Sequence, residues 1–224
     1  MTRLTLCFFA ACMMTTAGVC AAQTSEKNIA LTSFNQLTLS KGLIVTLKCA
    51  DKPYMVASAA QKVLDKLQVS SSANTLNVTG TTRDFEGWDL SDNKTDLTIY
   101  TDKPISAITT TFGVKLRAEA CAIDKQSLRV NGSMGSSFAI SGNVAQLDTE
   151  LAMGAKFNSD TDDLQVENAT IRIAMGAEAN LCGARKASGN AAMGALVYVD
   201  SHTENSVSAA MGATVRNRDC QQFR

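Results

Sequence analysis

The chain has 224 residues, a length typical of one domain. Its 21 Lys and Arg residues balance 21 Asp and Glu residues, which argues against binding to nucleic acid or to a membrane through a basic surface. Apolar residues make up 45% of the sequence, enough to build a core, and the single histidine, His202, excludes a metal site of several histidines.

Residues 1–22 have the pattern of a secretory signal peptide. Arg3 precedes an apolar run that extends to Cys20, and the small residues that follow suit signal peptidase, with cleavage after Ala21 or Ala22. Lipidation of Cys20 is an alternative, although the valine before it is larger than a lipobox residue. We therefore predict an exported protein without a transmembrane segment in its mature form, located in the periplasm or at the cell surface.

The first half of the mature chain predicts short strands after an N-terminal linker at 23–33. One short helix is predicted at 59–66. Residues that favour strands occur in six runs, at 34–39, 43–49, 54–58, 67–70, 76–79 and 97–100. We interpret residues 34–105 as irregular first coils of a single domain that spans 34–224, and we expect them to cover its first sheet edge.

A loop between the last two of these runs contains the only tryptophan. Residues 83–92 place Phe85 and Trp88 among acidic side chains, of which Asp89 follows the tryptophan directly. An aromatic ring beside carboxylates that accept hydrogen bonds suits a sugar, so these three residues are the predicted ligand-binding site. The alternative is that both rings cover the open end of the core.

Four cysteines remain after the predicted cleavage, at positions 49, 121, 182 and 220. An even number in an exported chain predicts two disulfides, and their spacing does not match a zinc site. We expect Cys49 to pair with Cys121 and Cys182 with Cys220, because these are neighbours along the chain. The two other pairings, and free buried thiols, stay open.

From residue 133 the sequence repeats one motif five times. Ser-Met-Gly-Ser occurs once and Ala-Met-Gly-Ala four times, centred on Met134, Met153, Met175, Met193 and Met211. Phe112-Gly113 looks like an earlier copy. Successive methionines are 19, 22, 18 and 18 residues apart, and apolar residues alternate with polar ones around them. This period of two is typical of strands with one buried face.

Repeats of this length predict an all-β fold, a single-domain right-handed parallel β-helix with coils of 18–22 residues, regular over 106–224. Equivalent positions would stack about 4.8 Å apart. The alternation predicts that the five methionines form an internal core ladder. Thioethers also suit a soft ion such as Cu(I), but core packing explains the same residues, so we predict no metal and no cofactor.

Several N-terminal motifs resemble one protein family. They are Phe34-Asn35-Gln36-Leu37, Leu43 to Leu47, Leu76-Asn77-Val78 and Leu97 to Pro104. These motifs are similar to those of the head GIN domain family of auto-transporter adhesins, over about residues 30–215. Family members usually have a Ser-Gly-Ser-Gly-Asp-like element where this chain has Ala-Met-Gly-Ala. The resemblance implies an exported bacterial parallel β-helix.

Residues suited to catalysis are few. Acidic turns at 84–92 and 160–163 do not recur in the next coil, as the paired carboxylates of a β-helix enzyme require, and His202 has Asp and Ser only as sequence neighbours. We predict a non-enzymatic adhesin or envelope binding module that presents a repetitive surface to a glycan or a protein partner. A polysaccharide-processing enzyme and a purely structural envelope component are the alternatives.

Overall fold

The computed structural model describes residues 24–81, 95–161, 163–218 and 220. Within these ranges it has nineteen strands, one short α-helix and one 3₁₀ helix. Their bounds are β1 (Thr24–Ala30), β2 (Gln36–Ser40), β3 (Leu43–Cys49), β4 (Tyr54–Ala60), α1 (Gln61–Leu64), β5 (Gln68–Ser72), β6 (Thr75–Thr79), β7 (Thr95–Thr101), β8 (Ala107–Thr111), β9 (Lys115–Ala118), the 3₁₀ helix (Ala120–Ala122), β10 (Ser127–Gly132), β11 (Ser137–Ile140), β12 (Gly142–Leu151), β13 (Lys156–Phe157), β14 (Leu164–Ile173), β15 (Glu178–Leu181), β16 (Ala184–Ala191), β17 (Leu196–Val199), β18 (Glu204–Ala209) and β19 (Thr214–Asn217).

The strands form two sheets. Sheet A has the order β1-β4-β7-β3-β9-β11-β13-β15-β17-β19, and sheet B has the order β18-β16-β14-β12-β10-β8-β2-β6-β5. From β8 onward the chain alternates between the sheets, and each strand pairs in parallel with the strand two positions later. Each repeat therefore contributes one strand to each sheet. The all-β prediction is confirmed.

Both sheets are mixed, because the N-terminal part includes antiparallel pairs. Strand β4 lies between β1 and β7 and is antiparallel to both, and β5 is antiparallel to β6. The predicted linker at 23–33 therefore contains an edge strand, β1. This strand lacks the alternation of apolar and polar residues that marks a half-buried strand. Of Thr24–Ala30, only Ser25 and Ile29 are partly buried.

The core lies between the two sheets. In β3, Leu43, Val45 and Leu47 are at most 1% exposed, and the residues between them face outward. The same alternation continues in the regular coils, where Val197 and Val199 are fully buried. Burial of alternate apolar residues is the main term that stabilises each coil against the next.

The methionine core ladder is the one prediction about the repeat that is wrong. Met134, Met153, Met175, Met193 and Met211 are 40%, 45%, 49%, 49% and 73% exposed. The buried residues are instead the one directly before the motif and the last one of the motif. In the second copy these are Leu151 and Ala155. Between these two positions the chain leaves sheet B and enters sheet A, so the period of two does not apply there.

Each motif forms a tight turn at this corner. In the second copy, Met153 and Gly154 have φ values of 50° and 70°, and the N–H of Ala155 donates to the carbonyl of Ala152 at 3.2 Å. Two successive positive φ angles are the signature of a type I′ turn. In this conformation the side chain of the first central residue, the methionine, lies on the surface.

Both predicted disulfides are present. Cys49–Cys121 joins the end of β3 to the 3₁₀ helix with a Cα–Cα distance of 6.1 Å, and Cys182–Cys220 joins the turn after β15 to the segment after β19 with 5.6 Å. The first bridge links the irregular N-terminal part to the regular coils. The second ties the segment after β19 to the turn after β15, two strands away in sheet A.

We expect Gly189→Ala to destabilise the protein far more than Gly154→Ala. A Cβ at Gly189 (φ 121°) would lie 2.0 Å from the backbone oxygen of Ile171, whereas a Cβ at Gly154 (φ 70°) has no atom within 4 Å. We expect losses of about 3–5 kcal/mol for Gly189→Ala and about 1 kcal/mol for Gly154→Ala in the free energy of unfolding, measured with urea. Equal losses would contradict the tight approach of β16 to β14.

Candidate functional site

The outward side of sheet B over β8 to β18 is a continuous polar surface, which we call the polar face. Strand pairing places its side chains in straight rows that run across the coils. One row contains Ala107, Arg129, Asp148, Thr170, Ser188 and Ser206, and the next contains Thr109, Asn131, Glu150, Arg172, Asn190 and Ser208. Among the described residues, no large exposed apolar side chain lies on these strands.

A shallow groove of about 420 Å³ crosses the polar face. Its polar lining consists of Gln36, Ser106, Ser127, Arg129, Gln146, Asp148 and Thr170. A second groove, of about 290 Å³, lies where β12 and β14 begin and is lined by residues that include Asn143, Gln165 and Arg185. Both grooves offer hydroxyl, amide and guanidinium groups to a ligand that extends across several coils.

Asp148 is at the centre of the polar face. Nη2 of Arg172 donates to its Oδ1 at 3.1 Å, and Nε of Arg129 lies 3.5 Å from its Oδ2. These side chains belong to three successive strands of sheet B and are partly exposed, so the ion pairs add little to stability. They do hold two guanidinium groups in place, with hydrogen-bond donors still available to a ligand.

The predicted site residues that the structure describes do not come together in one place. Phe85, Trp88 and Asp89, the predicted ligand-binding residues, are outside the described ranges. The methionines form an exposed column at the corner between the two sheets, and the cysteines form disulfides at other positions. Sequence reasoning did not predict the polar face, although the Ser, Thr and Asn residues that alternate with core residues from 107 onward contain the signal.

The turn around His202 does not have the geometry of a catalytic triad. Nδ1 of His202 is 2.8 Å from Oδ1 of Asp200 and 3.3 Å from Oγ of Ser201. A triad needs the acid on one ring nitrogen and the nucleophile on the other, because the ring must pass a proton between them. Here both groups contact the same nitrogen.

Asp200 is buried and its pKa is lowered from the ordinary value of 3.8. The main cause is the backbone N–H of His202, which donates to the Asp200 carboxylate at 2.9 Å, and the His202 ring contributes next. The backbone N–H of Cys220 also donates to this carboxylate, at 3.4 Å. The carboxylate therefore satisfies backbone donors at the last turn from sheet A to sheet B.

Two further findings concern the described residues only. No group of three or more His, Cys, Asp or Glu side chains in these ranges is arranged to hold a metal ion. No helix in them has the length and hydropathy needed to cross a membrane.

Comparison with known proteins gives a family. Residues 33–202 match the model of the family described as "Putative auto-transporter adhesin, head GIN domain". The chain belongs to this family. The match covers most of the described strands, both disulfide-bonded cysteines of the first bridge and four of the five methionine motifs. The resemblance seen in the N-terminal motifs is confirmed. No curated protein matches the chain significantly.

Two solved structures share the fold. One, from Bacteroides fragilis, is described as a "putative adhesin"; it is 11% identical, the alignment covers 88% of this chain and 98% of that one, and the TM-score is 0.65. Another, from Parabacteroides distasonis, is described as a "putative lipid binding protein", with 11% identity, coverage of 86% and 95%, and a TM-score of 0.50. At this identity the likeness concerns the fold alone.

The lowered pKa of Asp200 predicts a loss of stability in acid. Because the folded-state pKa is below the unfolded value of about 3.8, the carboxylate stabilises the fold above that pH, and the stabilisation is lost as the pH falls through the folded pKa. We expect the urea midpoint of the native protein to fall more between pH 6 and pH 3 than that of Asp200→Asn. A parallel fall in the two proteins would contradict this assignment.

Proposed function

We propose that this protein is an exported, non-enzymatic binding protein of the adhesin type that holds an extended glycan on its polar face. The proposal includes the finer architecture of a right-handed parallel β-helix, in which flat rows of side chains run along the coils. The observation that carries it is the polar face itself, a surface of hydroxyl and amide groups with a shallow groove and a central Arg–Asp–Arg arrangement.

The chemistry of the groove supports a glycan. Sugars present many hydroxyl groups that both donate and accept hydrogen bonds. Gln36, Gln146, Ser127 and Thr170 can serve them in either role, while Arg129 donates only. A rigid sheet holds these groups without further ordering on binding, which lowers the entropic cost of association.

The same groove does not support hydrolysis of a glycan. Of the described residues that line it, Asp148 is the sole carboxylate, and it is already paired with two arginines. Glycoside hydrolysis generally requires two carboxyl groups on opposite sides of the bond that is broken. The contacts of His202, which use one nitrogen, likewise support a non-enzymatic role.

Export is supported by two independent features. Disulfides form and persist mainly in oxidising compartments, and the described chain has two. The signal-peptide pattern of residues 1–22 agrees with this. Location at the cell surface rather than in the periplasm belongs to the proposal, because a surface adhesin must reach its ligand.

The tryptophan loop is the proposed second contact with the glycan. Phe85 and Trp88 would supply the stacking surface that the polar face lacks, and Asp89 would accept a hydroxyl hydrogen bond. Trp88 is the only tryptophan, so its fluorescence reports on this loop alone. A blue-shifted emission that no glycan changes would instead assign Trp88 to the end of the core.

We expect Asp148→Ala/Arg172→Ala to weaken glycan binding by at least about tenfold, because charge-assisted hydrogen bonds contribute about 1.5–3 kcal/mol each. Binding is first screened on immobilised bacterial and host polysaccharides and then measured by calorimetry with the best of them. The matched control is Lys156→Ala/Glu178→Ala, which removes an exposed ion pair of similar length, 3.3 Å, from sheet A. Equal affinity of both variants, or no binding to any polysaccharide, would contradict the proposal.

A further inference from the structure

The side chains of the exposed methionines are outside the core, and the backbone hydrogen bonds of the turn do not depend on them. Four of the five are 40–49% exposed, and Met211, in the last coil, is 73% exposed. Their φ angles of 50–55° cost a residue with a side chain about 1–2 kcal/mol, whereas Gly or Asn adopts them more readily. A structural requirement would therefore favour other residues at these five positions.

Outside the four-residue motif the repeats have diverged. The buried residue three positions after the motif glycine is Phe138 in the first copy and Phe157 in the second, but Ala179 and Val197 in the next two. All five copies nevertheless keep Met followed by Gly. Since neither packing nor backbone conformation demands methionine, its thioether is the property that distinguishes it from other apolar side chains.

The five side chains form one column, which we call the thioether ridge. The N–H of each motif glycine donates to the carbonyl of the next methionine along the column, at 3.0–3.1 Å, from Gly135 and Met153 to Gly194 and Met211. This ladder stacks the turns at the spacing of neighbouring strands, about 4.8 Å. Methionine side chains are unbranched and flexible, so the thioethers of two neighbouring turns can approach one ion between them.

The ridge therefore places the soft, neutral thioether side chains of neighbouring coils on backbone positions one strand spacing apart, within reach of one ion between them. Thioethers bind soft ions such as Cu(I), whereas hard ions and Zn²⁺ prefer oxygen, nitrogen and thiolate ligands. Competing ligands are scarce, because every cysteine in the described ranges is in a disulfide. His202 lies at the other corner of the coil, where its Nδ1 contacts Asp200.

We propose that the thioether ridge is a binding site for a soft monovalent ion, Cu(I) in its natural setting, held between methionines of consecutive coils. Its centre is Met153, Met175 and Met193, each of which has another methionine on both sides. The site is separate from the polar face, so this inference does not depend on glycan binding. A thioether carries no proton at neutral pH, and ion binding here is therefore insensitive to mild acid, unlike binding to His or Cys.

Silver(I) is a suitable probe, because it is soft and monovalent and is not readily oxidised. The exported protein, labelled with ¹³C in the methionine methyl groups, is titrated with silver nitrate in chloride-free buffer at pH 7 and pH 5. Outside residues 1–22 the sequence has six methionines, the five of the ridge and Met55. Met55 is fully buried in β4 and serves as an internal reference.

We expect saturable shifts of the ridge methyl signals, an unmoved Met55 signal and the same affinity at both pH values. Met153→Leu/Met175→Leu/Met193→Leu should weaken silver binding at least about 10- to 100-fold, since even loss of an outer-shell partner has that effect on metal sites. Leucine keeps the size and apolar character of methionine. The matched control, Met55→Leu, should bind silver as the native protein does.

Three outcomes would overturn the proposal. The first is that the ridge signals do not move at equimolar silver. The second is that the triple variant binds silver as tightly as the native protein. The third is that the silver affinity falls steeply from pH 7 to pH 5, which would indicate a ligand that protons compete for. Circular dichroism verifies that the triple variant is folded. If it is not, Met175→Leu alone replaces it, with an expected loss of about tenfold.

Discussion

The hydrogen bond between the glycine of one motif and the methionine carbonyl of the next holds the corner of every coil in register. It is present from Gly113, which donates to Met134 at 2.9 Å, to Gly194, which donates to Met211 at 3.1 Å, and Gly42 makes the equivalent bond to the carbonyl of Phe112. Because each repeat pairs with the next in both sheets, a shift of one residue at this corner would move the buried side chains of the following strand to its outer face. The type I′ turn prevents that error by fixing where the alternation stops and restarts.

This corner determines which surfaces the protein presents. The residues that enter it along sheet B alternate between the core and the polar face, and those that leave it along sheet A alternate again. Only the two central residues of the turn lie outside both patterns. Glycine adds no side chain there, so the five methionines alone form the ridge. The polar face and the thioether ridge thus arise from one repeat but differ completely in chemistry, hydrogen-bonding groups on one and soft sulfur on the other.

The N-terminal part differs from the regular repeats in the direction of its strands. Its strands β1, β4 and β5 run antiparallel to their neighbours and occupy the beginning of both sheets. An antiparallel edge strand needs no long crossover, so a short and polar segment such as Thr24–Ala30 can pair with β4 without a strong apolar pattern of its own. For this reason it was interpreted as a linker, while the runs at 43–49 and 54–58, with clear alternation, were predicted nearly to the residue.

The sequence by itself determined the all-β fold, the family and the repeat length, and it favoured the two disulfide pairs that the structure contains. Each of these follows from local information, since alternation, repeat spacing and cysteine order are properties of neighbouring residues. The orientation of the methionines and the grouping of Arg129, Asp148 and Arg172 were decided only by the tertiary structure. A period of two cannot reveal where a turn with two positive φ angles interrupts it, and residues 19 or 24 positions apart become neighbours only when the coils are stacked in register.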